Sequence, residues 1–171
     1  GIDSKTYLTL ATEVAATGRL PISQPPGFIS VLALFIAYAP KPVLYYKIFQ
    51  FLLLIPTILC TVAAAKIIIP DRIAVWSAVA LLSTAAIPAY CATVQYEIPT
   101  MFLVSANALF LLRYWRSKTN RENTQYLWAA AVSALTGMLF REVLFVFTLV
   151  LLLAVLLKSH GKKQALIVCL V

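Results

Sequence analysis

Apolar runs recur along this chain from about Gly27 onward, broken only by short polar or basic clusters, and that rhythm decides the solvent before it decides the fold. A water-soluble domain has about a quarter of its residues charged. Here 12% of the 171 residues are charged and 62% are hydrophobic. Too little polar surface remains to cover the apolar side chains, so lipid is the expected solvent for most of the chain. The expected architecture is an all-α, multi-pass transmembrane helical bundle.

The net charge of +8 could suggest a nucleic-acid partner. The basic residues, however, gather between the apolar runs, as orientation signals do, and no nucleic acid is expected. Cys60, Cys91 and Cys169 have no motif spacing, and two of them sit inside apolar runs where a thiol behaves as a small hydrophobe. Neither a disulfide nor a metal site is read from them. The chain opens at Gly1-Ile2-Asp3 without Met and stops at Val171 within an apolar stretch, so further helices are expected on both sides. No cleavable leader pattern is present, and targeting would rest on transmembrane segments.

Residues 3–17 read as one helix, with Asp3 as N-cap, Tyr7, Leu10, Ala11 and Val14 at helical spacing, and Gly18 as terminator. This helix is amphipathic and too polar to span. Pro21, Pro25 and Pro26 mark an extended surface loop after it. The apolar stretch 27–39 ends at Pro40-Lys41-Pro42 and falls short of the roughly 20 residues that a spanning helix needs, so it is placed at the membrane interface. Candidate spans follow at 44–65, 73–90, 98–114, 126–140 and 143–157, with a sixth beginning near Ala165. The chain is thus read as a single transmembrane domain over 1–171, with 1–42 as the first outer loop and the spans in 43–171.

Alternate connections are basic: Lys66 and Arg72; Arg113, Arg116, Lys118 and Arg121; Lys158, Lys162 and Lys163. The positive-inside rule makes loops 66–72, 113–121 and 158–163 cytoplasmic. Residues 3–41, the 90–97 turn and the Arg141-Glu142 turn then lie outside, in a cell-membrane protein. Asp3, Glu97 and Arg141 should therefore share one membrane face and open toward one cavity. Ionisable groups at a membrane boundary are costly and point to function. Each also has a plain structural explanation: Asp3 caps a helix, Glu97 meets a helix dipole, and Arg141-Glu142 satisfies helix ends.

Taken in order, Asp3-Ser4 with Tyr7 and Ala11, Gly18, Gln24-Pro25-Pro26-Gly27-Phe28, Ile87-Pro88, Glu97, a basic loop, Gly137 and Arg141 resemble the GT-C glycosyltransferases. The likeness is to the dolichyl- or polyprenyl-phosphate-sugar protein mannosyltransferase and aminoarabinose transferase type, and it extends over nearly the whole chain. The resemblance implies a GT-C-like bundle that moves a sugar from a polyprenyl-phosphate donor to an acceptor at the outer face, with inversion. It implies Asp3 as general base, Arg141 at the donor phosphate, and Glu97 as a ligand of sugar hydroxyls or a partner orienting Arg141.

Two departures qualify the likeness. Many relatives carry an acidic pair where this chain has Asp3-Ser4, and a His or Glu-Lys where it has Ser23-Gln24. Ser4 removes one acid, so a carboxylate-bound divalent metal is not expected, and no resident cofactor is assigned. Gln24 removes one phosphate cation and joins the candidate sugar contacts. Lys5, Arg19, Lys41 and Lys47 are the other outer-side cations, with Lys5 and Arg19 read first as solvated surface charges. His160 belongs to a cytoplasmic lysine cluster.

Tyr38, Tyr45, Tyr46, Tyr90, Tyr126 and Trp128 are assigned to an interfacial aromatic belt. Tyr7 and Tyr96, which flank Asp3 and Glu97, are the aromatic candidates for the site. The expected partners are the bilayer, the lipid-linked sugar and an acceptor whose identity the sequence does not carry. Two other classes stay open: a secondary transporter, whose intramembrane charges would hold a substrate or ion, and a membrane scaffold without chemistry.

Overall fold

The computed structural model describes residues 2–20, 24, 26–82, 93–141, 145, 146, 148–150 and 153, apart from the side chains of Ile2, Asp3, Ala78, Leu81 and Leu82. Six α-helices fall in these stretches: α1 (Ile2–Thr17), α2 (Pro26–Tyr38), α3 (Pro42–Ile68), α4 (Asp71–Leu82), α5 (Glu97–Arg116) and α6 (Asn120–Phe140). Every regular element among the described residues is helical.

Local chemistry sets the ends. Pro26 opens α2 and Pro42 opens α3, where a missing N–H costs nothing because the first helical donors have no intrahelical acceptor. Gly18 ends α1 with φ +71°, a conformation that L side chains rarely adopt, and its N–H donates to the Val14 carbonyl at 2.8 Å. Thr119 caps α6, its hydroxyl accepting the Glu122 N–H at 3.3 Å. Asp3 does not cap α1: the helix already includes Ile2, so Asp3 lies in the first turn, where a carboxylate meets the positive end of the helix dipole.

The helices pack with α5 against α6 and α3, α1 against α2, and α2 against both α3 and α6. The short 117–119 connection folds α6 back antiparallel along α5. Within that pair Asn107 is buried, and its amide donates to the Ala130 carbonyl at 2.8 Å and to Ser133 Oγ at 3.3 Å. Helices α3 and α5 run in the same direction. Tyr46 and Gln50, near the start of α3, reach Gln95 just before α5, and Thr61 Oγ1 donates to Ser105 Oγ at 3.0 Å further along. The Lys66–Asp71 ion pair, at 3.3 Å, joins α3 to α4 at the far end. Consequently the basic clusters 66–72 and 113–121 gather at one end of the α3–α5–α6 group, and Tyr96, Glu97 and Arg141 at the other.

Two of the described helices, α3 and α5, are long and apolar enough to cross a membrane. Phe51, Leu52, Ile55 and Leu59 of α3 are exposed, as side chains turned toward lipid would be. The expected span 44–65 corresponds to α3, and 98–114 to α5. The expected span 126–140 is the second part of α6, a helix of 21 residues whose first turns carry Arg121, Glu122 and Gln125. Helix α4, which begins at Asp71, covers 73–82 of the expected 73–90 span. The remainder of that span, most of 143–157, the start of a sixth span and the 158–163 loop with His160 lie outside the described residues. Helix α2 is a short apolar helix of 13 residues, as its composition predicts.

A core cluster joins the first two helices to the rest: Ala11 of α1, Phe28, Ile29 and Leu32 of α2, Tyr46 of α3 and Val94 before α5. Tyr7, Leu10 and Val14 pack against it, so the apolar stripe read from the α1 sequence is the stripe that docks.

Candidate functional site

The segment 93–96, which feeds α5, is held by contacts from α1, α2, α3 and the end of α6. Ser4 Oγ in α1 donates to the Val94 carbonyl at 3.3 Å. In α3, the Tyr46 hydroxyl and Gln50 Nε2 each donate to the Gln95 carbonyl at 2.9 Å. Tyr46 and Gln50 are one helical turn apart and both fully buried, so they present two donors to one acceptor from a single helix face. Thr93 Oγ1 donates to Gln95 Oε1 at 3.0 Å. A further contact is made by the Tyr96 ring with Arg141, which ends α6.

Tyr96 sits at the centre of an aromatic and cationic group. Its ring lies 6.0 Å from that of Tyr7 and 5.8 Å from that of Phe28, both edge-on, and Tyr7 meets Phe28 at 5.0 Å. Over the ring stands the Arg141 guanidinium, with Cζ 5.3 Å from the centroid. A planar cation on an aromatic face contributes about 0.5–1 kcal/mol at an exposed site. Arg141 itself is exposed and closes α6, its N–H donating to the Gly137 carbonyl at 2.9 Å. Its side chain is therefore steered by Tyr96 while its charge stays open to a ligand.

The end of α6 is placed in turn by α2. Gly27 approaches Leu139 so closely that a Cβ on it would stand 2.9 Å from the Leu139 carbonyl oxygen. The Pro26-Gly27-Phe28 segment thereby serves as a mount. Pro26 starts the helix, Gly27 admits the last turn of α6, and Phe28 packs against Tyr7, Tyr46 and Tyr96.

Glu97 is the first residue of α5, where the helix dipole favours an anion. Its Oε2 atom is buried and makes no hydrogen bond among the described residues; the same holds for Gln50 Oε1 and Thr100 Oγ1. An unmet buried polar atom costs about 1–3 kcal/mol. Three such atoms lie around the start of α5.

The sequence candidates fall as follows. Tyr7, Tyr96 and Arg141 are brought into one contiguous group, and Glu97 is bonded in the chain to Tyr96. Asp3 is in the first turn of α1, beside Ser4 and one turn before Tyr7; its side chain lies outside the described residues. Gln24 is half-buried in the connection between α1 and α2. Tyr96, expected to bind sugar or to orient, has Arg141 over its ring. Tyr46 is not a belt residue: it is fully buried and hydrogen-bonded, whereas Tyr38 and Trp128 do project outward. Gln50 was the signal for this, a lone amide inside an apolar run with a tyrosine one turn earlier. Among the described residues no three His, Cys, Asp or Glu side chains gather as a metal site.

No curated protein and no solved structure matches the chain significantly. The profile of the dolichyl-phosphate-mannose-protein mannosyltransferases matches residues 23–171, which includes the Pro26-Gly27 mount, Tyr46, Gln50, Glu97 and Arg141 and leaves Asp3-Ser4 ahead of the match. The chain belongs to this family of membrane glycosyltransferases of the GT-C type.

Proposed function

We propose that the protein transfers a sugar from a polyprenyl-phosphate donor to an acceptor at the outer membrane face, within a multi-pass bundle whose basic loops are cytoplasmic. The observation that supports this reading is the convergence at one end of the helices: Ser4 in the first turn of α1 bonds Val94, Glu97 follows Tyr96, and the exposed Arg141 stands over the Tyr96 ring, inside a chain of glycosyltransferase lineage.

In this reading the acceptor oxygen or nitrogen attacks the anomeric carbon as the bond from that carbon to the phosphate oxygen breaks. The lipid phosphate leaves with the electron pair, and the acceptor proton passes to the Asp3 carboxylate. A single displacement inverts the anomeric carbon. Positioned proton removal is worth about 10²- to 10⁴-fold in rate. Arg141, always protonated, stabilises the charge that grows on the departing phosphate. Glu97 accepts hydrogen bonds from the sugar, with Gln24 and Tyr7 at the edge of the same region. The donor is a substrate, and no resident cofactor is assigned.

The test is transfer of labelled sugar from polyprenyl-phosphate mannose in membranes containing the intact protein, with Asp3→Asn as the comparison. Asparagine keeps the size and local hydrogen bonding of aspartate but is a poor base, so transfer should fall at least about a hundredfold at equal protein abundance. Retained transfer would remove Asp3 from the chemistry, and a wild-type protein inert toward every polyprenyl-phosphate sugar would defeat the reading.

A further inference from the structure

Two buried donors on one carbonyl are more than backbone satisfaction requires. The Gln95 carbonyl would be met by one hydrogen bond, yet the Tyr46 hydroxyl and Gln50 Nε2 both reach it at 2.9 Å, each from a fully buried side chain. Gln50 pays for this by leaving its Oε1 unpartnered among the described residues. A leucine there would avoid that cost, so the amide is retained for what it holds. What it holds is the residue before Tyr96, whose ring carries the Arg141 guanidinium at 5.3 Å.

We propose that Tyr46 and Gln50 form a buried clamp that positions Arg141, through Gln95 and Tyr96, for the phosphate of a lipid-linked donor. Neither residue touches the phosphate; both are positioning residues. The chain of contact is short and physical. The clamp fixes the Gln95 peptide, that peptide fixes the backbone of Tyr96, and the Tyr96 ring sets where the otherwise exposed Arg141 side chain rests. A long side chain left free would lose rotamer entropy on binding its ligand, and holding it in place beforehand removes part of that loss. Phe28 and Phe35 pack on the Tyr46 ring at 5.9 and 5.7 Å and keep the phenol from rotating away.

This inference rests on the proposed function only in taking a polyprenyl phosphate as the ligand of Arg141, and it is tested by binding without transfer. The probe is bare polyprenyl phosphate, its Kd measured on the intact protein in nanodiscs. The variants are Tyr46→Phe, Gln50→Leu, the pair together, and each of these in an Arg141→Gln background. Tyr46→Phe keeps the ring packing and guards against a folding defect in Gln50→Leu.

The expected result is a Kd raised about threefold to tenfold by the paired substitution, and no further rise when the same pair is placed on Arg141→Gln, since the clamp then has no guanidinium to position. A paired substitution that leaves the Kd unchanged overturns the clamp. So does an equal rise in the Arg141→Gln background, which would report general loosening of the helices. A wild type that does not bind polyprenyl phosphate overturns it as well. A wild type that binds with the expected coupling but transfers no sugar defeats the proposed function and leaves the clamp standing.

Discussion

Gly27 meets Leu139 where only a glycine fits at position 27: a Cβ there would lie 2.9 Å from both the Cβ and the carbonyl oxygen of Leu139, closer than real Cβ atoms come. Leu139 is two residues before Arg141, so the start of α2 sets where the end of α6 can rest. Gly27→Ala must push backbone against backbone, and overpacking of this kind costs about 1–3 kcal/mol. Gly18 provides the contrast. Nothing lies within 4 Å of a Cβ there, and only its φ of +71° opposes a side chain. Both alanine variants should lower the unfolding temperature in detergent, but only Gly27→Ala should also depress transfer, by about tenfold or more, because only it displaces the turn that carries Arg141.

Arg141 is held by its plane as well as by its charge. Lysine keeps the charge but cannot lie flat on the Tyr96 ring or fork two hydrogen bonds toward a phosphate. Arg141→Lys should retain part of the transfer activity, down about threefold to thirtyfold, and Arg141→Gln should lose about a hundredfold or more, the usual cost of removing one stabiliser of developing charge. Steady-state rates at saturating donor separate the two effects. Equal losses for lysine and glutamine would show that planarity, not charge, is what the site uses.

Much of this arrangement is legible in the sequence. The apolar stripe of Tyr7, Leu10, Ala11 and Val14 obeys helical period, and it is the stripe that packs. The prolines at 26 and 42 and the glycine at 18 punctuate helices for reasons that act within a few residues. What escaped depends on partners distant in the chain. Tyr46 looks like any tyrosine near a span end until Gln95, 49 positions away, supplies its acceptor. Gly27 looks like part of a turn until Leu139 arrives. Asp3 misleads in the other direction, because a good capping residue is equally at home in the first turn of a helix. Long-range pairing leaves no periodic trace, and the only clue was the isolated amide of Gln50.

Glu97 sets function against stability. One of its carboxylate oxygens is buried without a hydrogen bond among the described residues, while the helix dipole favours its charge by only about 0.3–1 kcal/mol. Glu97→Gln removes a charge that is costly to bury and keeps the shape, so the variant should unfold at the same temperature as wild type or higher. Transfer should nevertheless fall about tenfold to a hundredfold, since an amide is a weaker acceptor for sugar hydroxyls. Thermal unfolding and transfer measured on the same preparation decide it. A loss of both together would make Glu97 a helix anchor.

Ser4 stands where the resemblance implies a second acid, and its hydroxyl donates to the Val94 carbonyl at 3.3 Å. That bond ties the turn containing Asp3 to the segment leading into Glu97. A carboxylate could not make it: two acceptors would face each other, and like partial charges at that distance repel. Ser4→Ala should weaken the tie by about 0.5–1.5 kcal/mol and reduce transfer severalfold. Ser4→Asp, although it restores the acidic pair, should reduce transfer further and lower the unfolding temperature. Rates for the three proteins at saturating donor, compared with their unfolding temperatures, give the answer. A rise in transfer with Ser4→Asp would mean that α1 can turn its first residues to use a second carboxylate, and that the Ser4–Val94 bond holds the helix in place without setting its chemistry.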